Sequence, residues 1–313
     1  MNAMPMISVI IETYNATPQA EIRLDQVLNR LNEQSYPTDK LEIIVVVDER
    51  NVELADLIEE TFPSVGVVRI TDGNYFSMKN CGLKLAKGDI VALLDGDCMP
   101  SKNWAERIAF TLRKGADVAV GKTRYPSDKP FARTFDLFDF GHVQGDENGE
   151  ANCFVANNVA FKKEVIREHN FDHRLGRSGG CYLLSRQLKS LDHKLVYDPH
   201  QFTVHDYNIK GLGFITKRIR LGYDAINLCR LDSEGVMPEN KVIKLGFLAP
   251  FAIFASRVLF DFKRIVSNRQ DLDIPVLAIP GFYVASILMR SIEVIGGIIT
   301  VARPDYFRTK FGW

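Results

Sequence analysis

Ile90-Val-Ala-Leu-Leu94 runs straight into Asp95-Gly-Asp97: five apolar residues, then two carboxylates one residue apart. A run apolar on both faces belongs inside a parallel sheet covered by helices, and in open sheets of that kind ligands bind beyond the carboxyl ends of the strands. Toward the N-terminus, a helical pattern around Met78–Ala86, closed by Lys87-Gly88, precedes this strand, and Val65–Ile70 predicts another. Leu41-Glu-Ile-Ile-Val-Val-Val47 is a further apolar strand, ending at Asp48. Leu24, Val27, Leu28 and Leu31 share one helical face before Tyr36-Pro37 stops the helix, and Ile7-Ser-Val-Ile-Ile11 opens the sheet. On the other side, Ser101 is placed to cap a helix in which Trp104, Ile108 and Leu112 recur every fourth position. Strand and helix alternate throughout residues 1–120, the sequence form of an α/β fold with a mostly parallel sheet flanked by helices.

The chain of 313 residues is 46% hydrophobic, enough to fill a large α/β domain with an appendage, or two ordinary domains. Formal charge is zero overall but uneven: residues 1–209 carry 24 Lys and Arg against 30 Asp and Glu, and residues 210–313 carry 15 against 9. Unless it is only a solvated face, a basic tail behind an acidic front points to an anionic partner, either a lipid surface or nucleic acid. In that tail Leu245–Phe260 is mainly apolar and uncharged apart from Arg257, and Ile274–Ala302 apart from Arg290 and Glu293, which stand three apart and can pair on one helix face. The second run, 29 residues long, could cross a bilayer by length. Pro275, Pro280 and the charged pair favour a helical hairpin lying in the membrane plane over a simple span, with ordinary core or oligomer contact a third reading. Lys263, Arg264 and Arg269 follow the first run and Arg303, Arg308 and Lys310 the second, as where apolar helices meet anionic headgroups. A tail this apolar, without aromatic-interleaved polar strands, argues against nucleic acid. The division expected is 1–210 for the α/β domain and 211–313 for a helical, membrane-associating region.

Five cysteines, Cys81, Cys98, Cys153, Cys181 and Cys229, are odd in number and form no C-x-x-C pair, so neither a disulfide framework nor a zinc knuckle is indicated and a reducing compartment fits. Met1–Met6 lacks a basic segment before a long apolar one, and Ile7–Ile11 is too short for a signal peptide. The expected location is the cytoplasm, at the cytoplasmic face of a membrane.

Two carboxylates one residue apart at a strand end can share a hard divalent ion with a diphosphate, although the same pair is common turn chemistry. The surrounding segments decide. Ser8-Val-Ile-Ile-Glu-Thr-Tyr-Asn15, Ile43-Ile-Val-Val-Val-Asp48, Lys79-Asn80-Cys-Gly82 with Ala86-Lys-Gly-Asp89, and Asp95-Gly-Asp97 resemble, in order, the motifs of family 2 glycosyltransferases with the GT-A fold. The resemblance continues through Phe154-Val-Ala-Asn-Asn-Val-Ala-Phe161, Phe171-Asp172, Leu195-Val-Tyr-Asp-Pro199 and His205, covering residues 6–206.

The resemblance implies a Rossmann-like GT-A domain that moves a sugar, hexosyltransferase fashion and with inversion, from a nucleotide-sugar to an acceptor hydroxyl. It implies that Thr13, Tyr14 and Asn15 line the nucleotide pocket, that Asp48 hydrogen-bonds the base, and that Asn80 lies near the nucleotide. Asp95 would contact the ribose side and, with Gly96 and Asp97, the donor. Mg or Mn would be held by Asp95, Asp97 and His205. Asn157 and Asn158 either orient the donor sugar or acceptor, or form a hydrogen-bonded turn. The apolar tail adds an expectation of a lipid-linked or polysaccharide acceptor at a membrane surface.

Two positions depart from the family pattern. Glu12 stands where proline is usual. At the start of the helix near Gly180, the usual Glu-Asp pair, whose Asp takes the acceptor proton, is replaced by Gly180-Cys181. A thiol with an ordinary pKa of about 8.5 is a poor substitute for that base. Cys181 is either activated by the helix N-terminus or a small buried helix residue. Asp136, Asp139, Asp172 and His173 lie within sequence range to serve instead. The competing function is a catalytically impaired nucleotide-sugar-binding or scaffold protein at the membrane. A nucleotidyltransferase would need a Gly-rich phosphate loop at the first strand, which Glu12-Thr-Tyr-Asn15 does not offer.

Overall fold

The computed structural model describes residues 4–17, 19–71, 73–129, 131–172, 174–175, 179–207, 212–232, 235, 238–267 and 269–311. β1 (Ile7–Glu12), β2 (Leu41–Asp48), β3 (Gly66–Ile70), β4 (Ile90–Asp95), β5 (Cys98–Pro100), β6 (Val118–Arg124), β7 (Asn158–Lys162) and β8 (Leu195–His205) form one sheet in the order β3-β2-β1-β4-β7-β6-β8-β5. The expected parallel half is β3-β2-β1-β4; β7 then enters antiparallel between β4 and β6, β6 and β8 are parallel, and β5 is antiparallel to β8.

Strand alternation assigns the side chains to two cores. Ile7, Val9 and Ile11 of β1 pack with α1 (Leu24–Asn32), α2 (Val52–Thr61) and α4 (Trp104–Arg113), and Ile10 packs on the other face with α3 (Tyr75–Leu85), α6 (Lys163–Arg167) and α7 (Gly180–Ser190). Registers align the strand ends: Glu12 pairs with Val46 of β2 and with Asp95 of β4, and His205 stands opposite Cys98 across β5 and β8. Thr13, Asp48, Asp95, Asp97 and His205 therefore all stand at or just beyond the carboxyl ends of β1, β2, β4 and β8.

Three local expectations shift. The helix expected from Met78 begins at Tyr75, because Asn74 and Ser77 form a reciprocal cap: Asn74 Oδ1 accepts from Ser77 N at 2.9 Å and Ser77 Oγ accepts from Asn74 N at 2.8 Å. Ser101 does not cap α4; Asn103 is the N-cap residue, and the Ser101 hydroxyl is turned to Asn103 Oδ1, 3.0 Å away. The strand expected from Val65 starts one residue later.

After β8 come α8 (Gly213–Leu231), the tighter helical stretch Pro238–Leu248, α9 (Ala249–Ser267), α10 (Ile279–Ala302) and α11 (Tyr306–Phe311). The expected boundary at 210 and 211 lies outside the described residues. Helices α8 and α10 cross at contact distance, since a Cβ on Gly222 would stand 1.8 Å from the Glu293 carbonyl oxygen and one on Gly296 1.9 Å from that of Ile219. A charge chain, buried except at half-exposed Lys217, joins these helices to α5 (Ala132–Asp139): Asp139 pairs with Lys217 and Arg218, Arg218 faces Glu293, and Arg290 bridges Glu293 and Asp261 at 2.8 Å each. The anticipated Arg290–Glu293 pair thus forms, turned inward. Asp261 also accepts from Ser286 at 2.9 Å and pairs with Arg264. Lys241–Ser267 and Val276–Ala302 are each 27 residues long and apolar enough to cross a membrane by length and composition. Leu277, Leu259, Leu248, Phe247 and Leu288 of this region are exposed.

Candidate active site

At these strand ends lies a buried charge cluster built by β1, β4 and α3. Lys79 is fully buried and donates to Asp95 Oδ1 at 2.7 Å, while the Tyr75 hydroxyl lies 3.1 and 3.2 Å from the two Asp95 oxygens. Glu12, beside Asp95 in the register, is also fully buried; its Oε2 accepts from Tyr14 N at 2.6 Å and its Oε1 has no hydrogen-bond partner. Burial first, then the neighbouring Asp95, holds the Glu12 carboxyl well above the usual carboxylate range. Burial opposes the charge on Lys79, but Asp95 and Glu12 outweigh it, and its pKa lies above the ordinary lysine value.

The second half of the site comes from the turn after β4 and the end of β8. His205 Nε2 is 3.7 Å from Asp97 Oδ1, and His205 Nδ1 is 2.8 Å from the Asp206 carbonyl oxygen. A carbonyl only accepts, so Nδ1 carries a proton, and Nε2 is the ring nitrogen turned toward Asp97, the one placed to serve as a metal ligand. Asp206 anchors the arrangement: its amide donates to the Asp97 carbonyl at 2.9 Å, and its carboxylate accepts from the Glu21 and Ile22 amides. Ligand atoms of Asp95, Asp97, Cys98 and His205 all lie within 4.8 Å of one another. Oxygen and nitrogen donors so grouped fit one divalent ion. The rings of Tyr125 and Phe140 flank His205 at 5.7 and 5.5 Å.

Along the rim, the Thr13 hydroxyl donates to the Val46 carbonyl at 3.1 Å, and half-exposed Tyr14 stands edge-on to Tyr75, with ring centres 6.4 Å apart. Asn15 holds a buried Nδ2 without a partner. Asp48 accepts from the Arg50 guanidinium at 2.7 and 2.6 Å and from Gly73 N at 3.1 Å, and Arg50 holds its carboxyl down at about 2. Gly96 N donates to the Glu12 carbonyl at 3.1 Å, which fixes the turn between the two acids.

Two expected contacts with the nucleotide-sugar are directed elsewhere. Asn80 bonds both ways with the backbone of Phe171, at 2.8 and 3.0 Å, and so pins that segment to α3. Asn158 is fully buried: its Oδ1 accepts from Trp104 Nε1 and Gln201 Nε2, and its Nδ2 donates to the Lys122 and Gln201 carbonyls. With its amide committed on both sides, Asn158 is a framework residue of the sheet rather than part of the pocket wall. Asn157 bonds to the Thr123 hydroxyl at 3.1 Å. Lys79, which the sequence presents only as part of a motif with no role of its own, shares with Tyr75, Met78 and Gly82 the i, i+3, i+4, i+7 pattern of the buried α3 face, and Asn80 falls off it.

At the position of the usual base, Gly180 begins α7 and a Cβ there would meet the Phe76 ring at 2.7 Å, a ring stacked on Phe171 with centres 5.0 Å apart. No larger side chain fits without moving that pair. Burial pushes the Cys181 thiol up to about 12, the reverse of activation by the helix N-terminus. Lys217 and Arg218 outweigh the cost of burial and hold Asp139 well below the usual carboxylate range, and Asp172 is paired with Arg174 at 2.6 Å. Asp136 is buried beside Arg124, accepts from Tyr125 N at 2.7 Å, and is raised by burial to about 6. His173 lies outside the described residues.

A family model described as Glycosyl transferase family 2 matches residues 8–170. The chain is 27% identical over 242 residues to glycosyltransferase AglE of Haloferax volcanii, covering 74% of this chain and 76% of that protein. It is 29% identical over 196 residues to the glucosyl-dolichyl phosphate glucuronosyltransferase of the same organism, covering 58% and 60%. Among solved structures, the mannosyltransferase PcManGT from Pyrobaculum calidifontis, in complex with GDP-Man and Mn2+, superposes with a TM-score of 0.65 at 18% identity, covering 97% of this chain and 88% of that one. At that identity the likeness shows the shared fold.

Proposed function

The chain belongs to glycosyl transferase family 2, and on that premise we propose that it moves a sugar from a nucleoside-diphosphate donor, with a divalent ion at Asp95, Asp97 and His205, to a lipid-linked acceptor at a membrane surface. The observation that carries the metal reading is the approach of His205 Nε2 to Asp97 Oδ1, 3.7 Å, with the opposite ring nitrogen tied to a carbonyl. A divalent ion bound there would neutralise charge growing on the departing diphosphate. Lys79 donates to Asp95 from below, Asp206 fixes the loop that orients the site, and Tyr14 and Asn15 offer the rim to the nucleoside.

The acceptor assignment draws on the exposed apolar faces of α9 and α10 and on the relative whose name specifies a dolichyl phosphate sugar. Because Asp261, Arg264, Arg290 and Glu293 turn inward onto α5 and α8 while Lys263 stays exposed, an in-plane hairpin on the cytoplasmic face is the arrangement we favour over two spans. A second reading, donor binding without turnover, is favoured by one observation: Gly180 is walled by Phe76 and the Cys181 thiol is raised.

Purified protein in detergent, given a panel of UDP- and GDP-sugars with Mn2+ or Mg2+ and lipid-linked acceptors, separates these readings by nucleoside diphosphate release. Metal-dependent release supports transfer; calorimetric donor binding with no release under any acceptor supports the second reading. Absence of donor binding with either metal overturns both.

A further inference from the structure

We propose that Cys98 is a fourth, sulfur ligand of the metal centre, and that Zn2+ or another thiophilic ion closes the centre against the donor that Mg2+ or Mn2+ admits. The inference rests on the reading of Asp95, Asp97 and His205 as that centre. Cys98 faces His205 across the antiparallel β5–β8 pair, so the two side chains emerge on the same side of the ladder. Its Sγ is 3.9 Å from Asp97 Oδ1, and the four ligand atoms fit within 4.8 Å. Zinc bonds sulfur at about 2.3 Å and nitrogen or oxygen at about 2.0–2.2 Å. A tetrahedron of that size needs donors roughly 3.3–3.8 Å apart, so side-chain adjustments on the order of 1 Å complete it.

The ion's own preferences supply the discrimination. Mg2+ and Mn2+ take oxygen ligands in octahedral sites and keep vertices for phosphate and water, leaving the Cys98 thiol in the core. Zn2+ and Cd2+ accept sulfur and are satisfied by four protein ligands. Two carboxylates, one thiolate and one imidazole fill that number, and no vertex remains for a diphosphate. On binding, the thiol proton leaves to solvent as the sulfur–metal bond forms. The thiolate's added negative charge is balanced by Lys79, 2.7 Å from Asp95. Cys98 is fully buried, so the same geometry keeps the sulfur from larger reagents.

The test uses the full chain in detergent, with Cd2+ as the spectroscopic probe. A sulfur-to-cadmium charge-transfer band in the ultraviolet should saturate at one equivalent and vanish in Cys98→Ser, with far-ultraviolet circular dichroism confirming the fold. The ratio of Zn2+ to Mg2+ affinity should fall roughly 10- to 100-fold in that variant. If Cys98→Ser does not fold, Co2+ on the unaltered protein serves: intense tetrahedral bands with a sulfur charge-transfer feature support the proposal, and a weak octahedral spectrum overturns it. A cadmium band that persists in Cys98→Ser, and so arises from another cysteine, sinks the assignment. Zn2+ and a nucleotide-sugar binding together in calorimetry defeats the closure. Mn2+-dependent donor binding by the unaltered protein separates the two claims: if it is absent the metal reading itself fails, and if it is present without a sulfur band only this inference does.

Discussion

Asp97 and Lys79 are both charged, both near the candidate site, and differ in what their removal should do. Asp97→Ala takes away one ligand at the edge of the site, so the fold should persist while metal-dependent donor affinity drops about 100-fold or more. Titration of a nucleotide-sugar with and without EDTA checks this, and unchanged affinity in both conditions would remove the metal assignment. Lys79→Met instead strands Asp95 in the interior next to Glu12. Loss of one member of a buried pair costs about 3–5 kcal/mol, so denaturant melts should show a destabilised protein even without ligand. The two carboxylates after β4, and His205 in its motif context, were legible in the sequence because each sits in a local string. Lys79 was not, because its role depends on which face of α3 meets the sheet. Asn158 misled for the same reason: polar residues beside a strand look available until the packing commits them to Trp104 and Gln201.

At the scale of elements, the strands were the clearest part of the sequence, since apolar runs such as Leu41–Val47 and Ile90–Leu94 have nowhere to go except between helix layers. The antiparallel entry of β7 between β4 and β6 was not legible, because pairing partners distant in sequence leave no periodic signature. The α8–α10 crossing was equally silent, yet it sets a strict requirement. Gly296→Val should force the two backbones apart and cost about 3 kcal/mol or more, visible as a lowered thermal midpoint. Helix α5 offers a titration test. The folded pKa of Asp136, about 6, lies above the ordinary aspartate value, so between those limits the folded state holds more protons than the unfolded one and stability falls as pH rises. The loss amounts to about 3 kcal/mol across that window. Asp136→Asn should flatten this part of the stability profile, and an unchanged slope would show that another group sets it.

For the whole molecule, the uneven charge and the two apolar runs raise the expectation of a membrane-facing tail, and they leave open how that tail is held to the rest of the chain. The same chain region that exposes Leu277 and Leu288 turns Asp261, Arg290 and Glu293 inward, toward α5 and α8. Flotation with anionic vesicles should therefore recover the protein, and Leu277→Asp with Leu288→Asp should reduce the bound fraction several-fold while leaving donor binding in detergent intact. Equal flotation of the variant and the parent would move the contact surface elsewhere.

The chain of buried charges also orders events in time. Asp139 is synthesised 79 residues before Arg218, and Arg218 75 residues before Glu293. At ordinary translation speeds this interval is on the order of ten seconds. Until α8 has been made, α5 holds a carboxylate without its counter-ions Lys217 and Arg218, and until α10 follows Arg218 lacks Glu293; the same helix α5 leads directly to the Phe140 ring packed on His205. The candidate site therefore reaches its final surroundings only as the C-terminal helices arrive, so that a nascent, half-made polypeptide holds the site's ligands without the frame that steadies them.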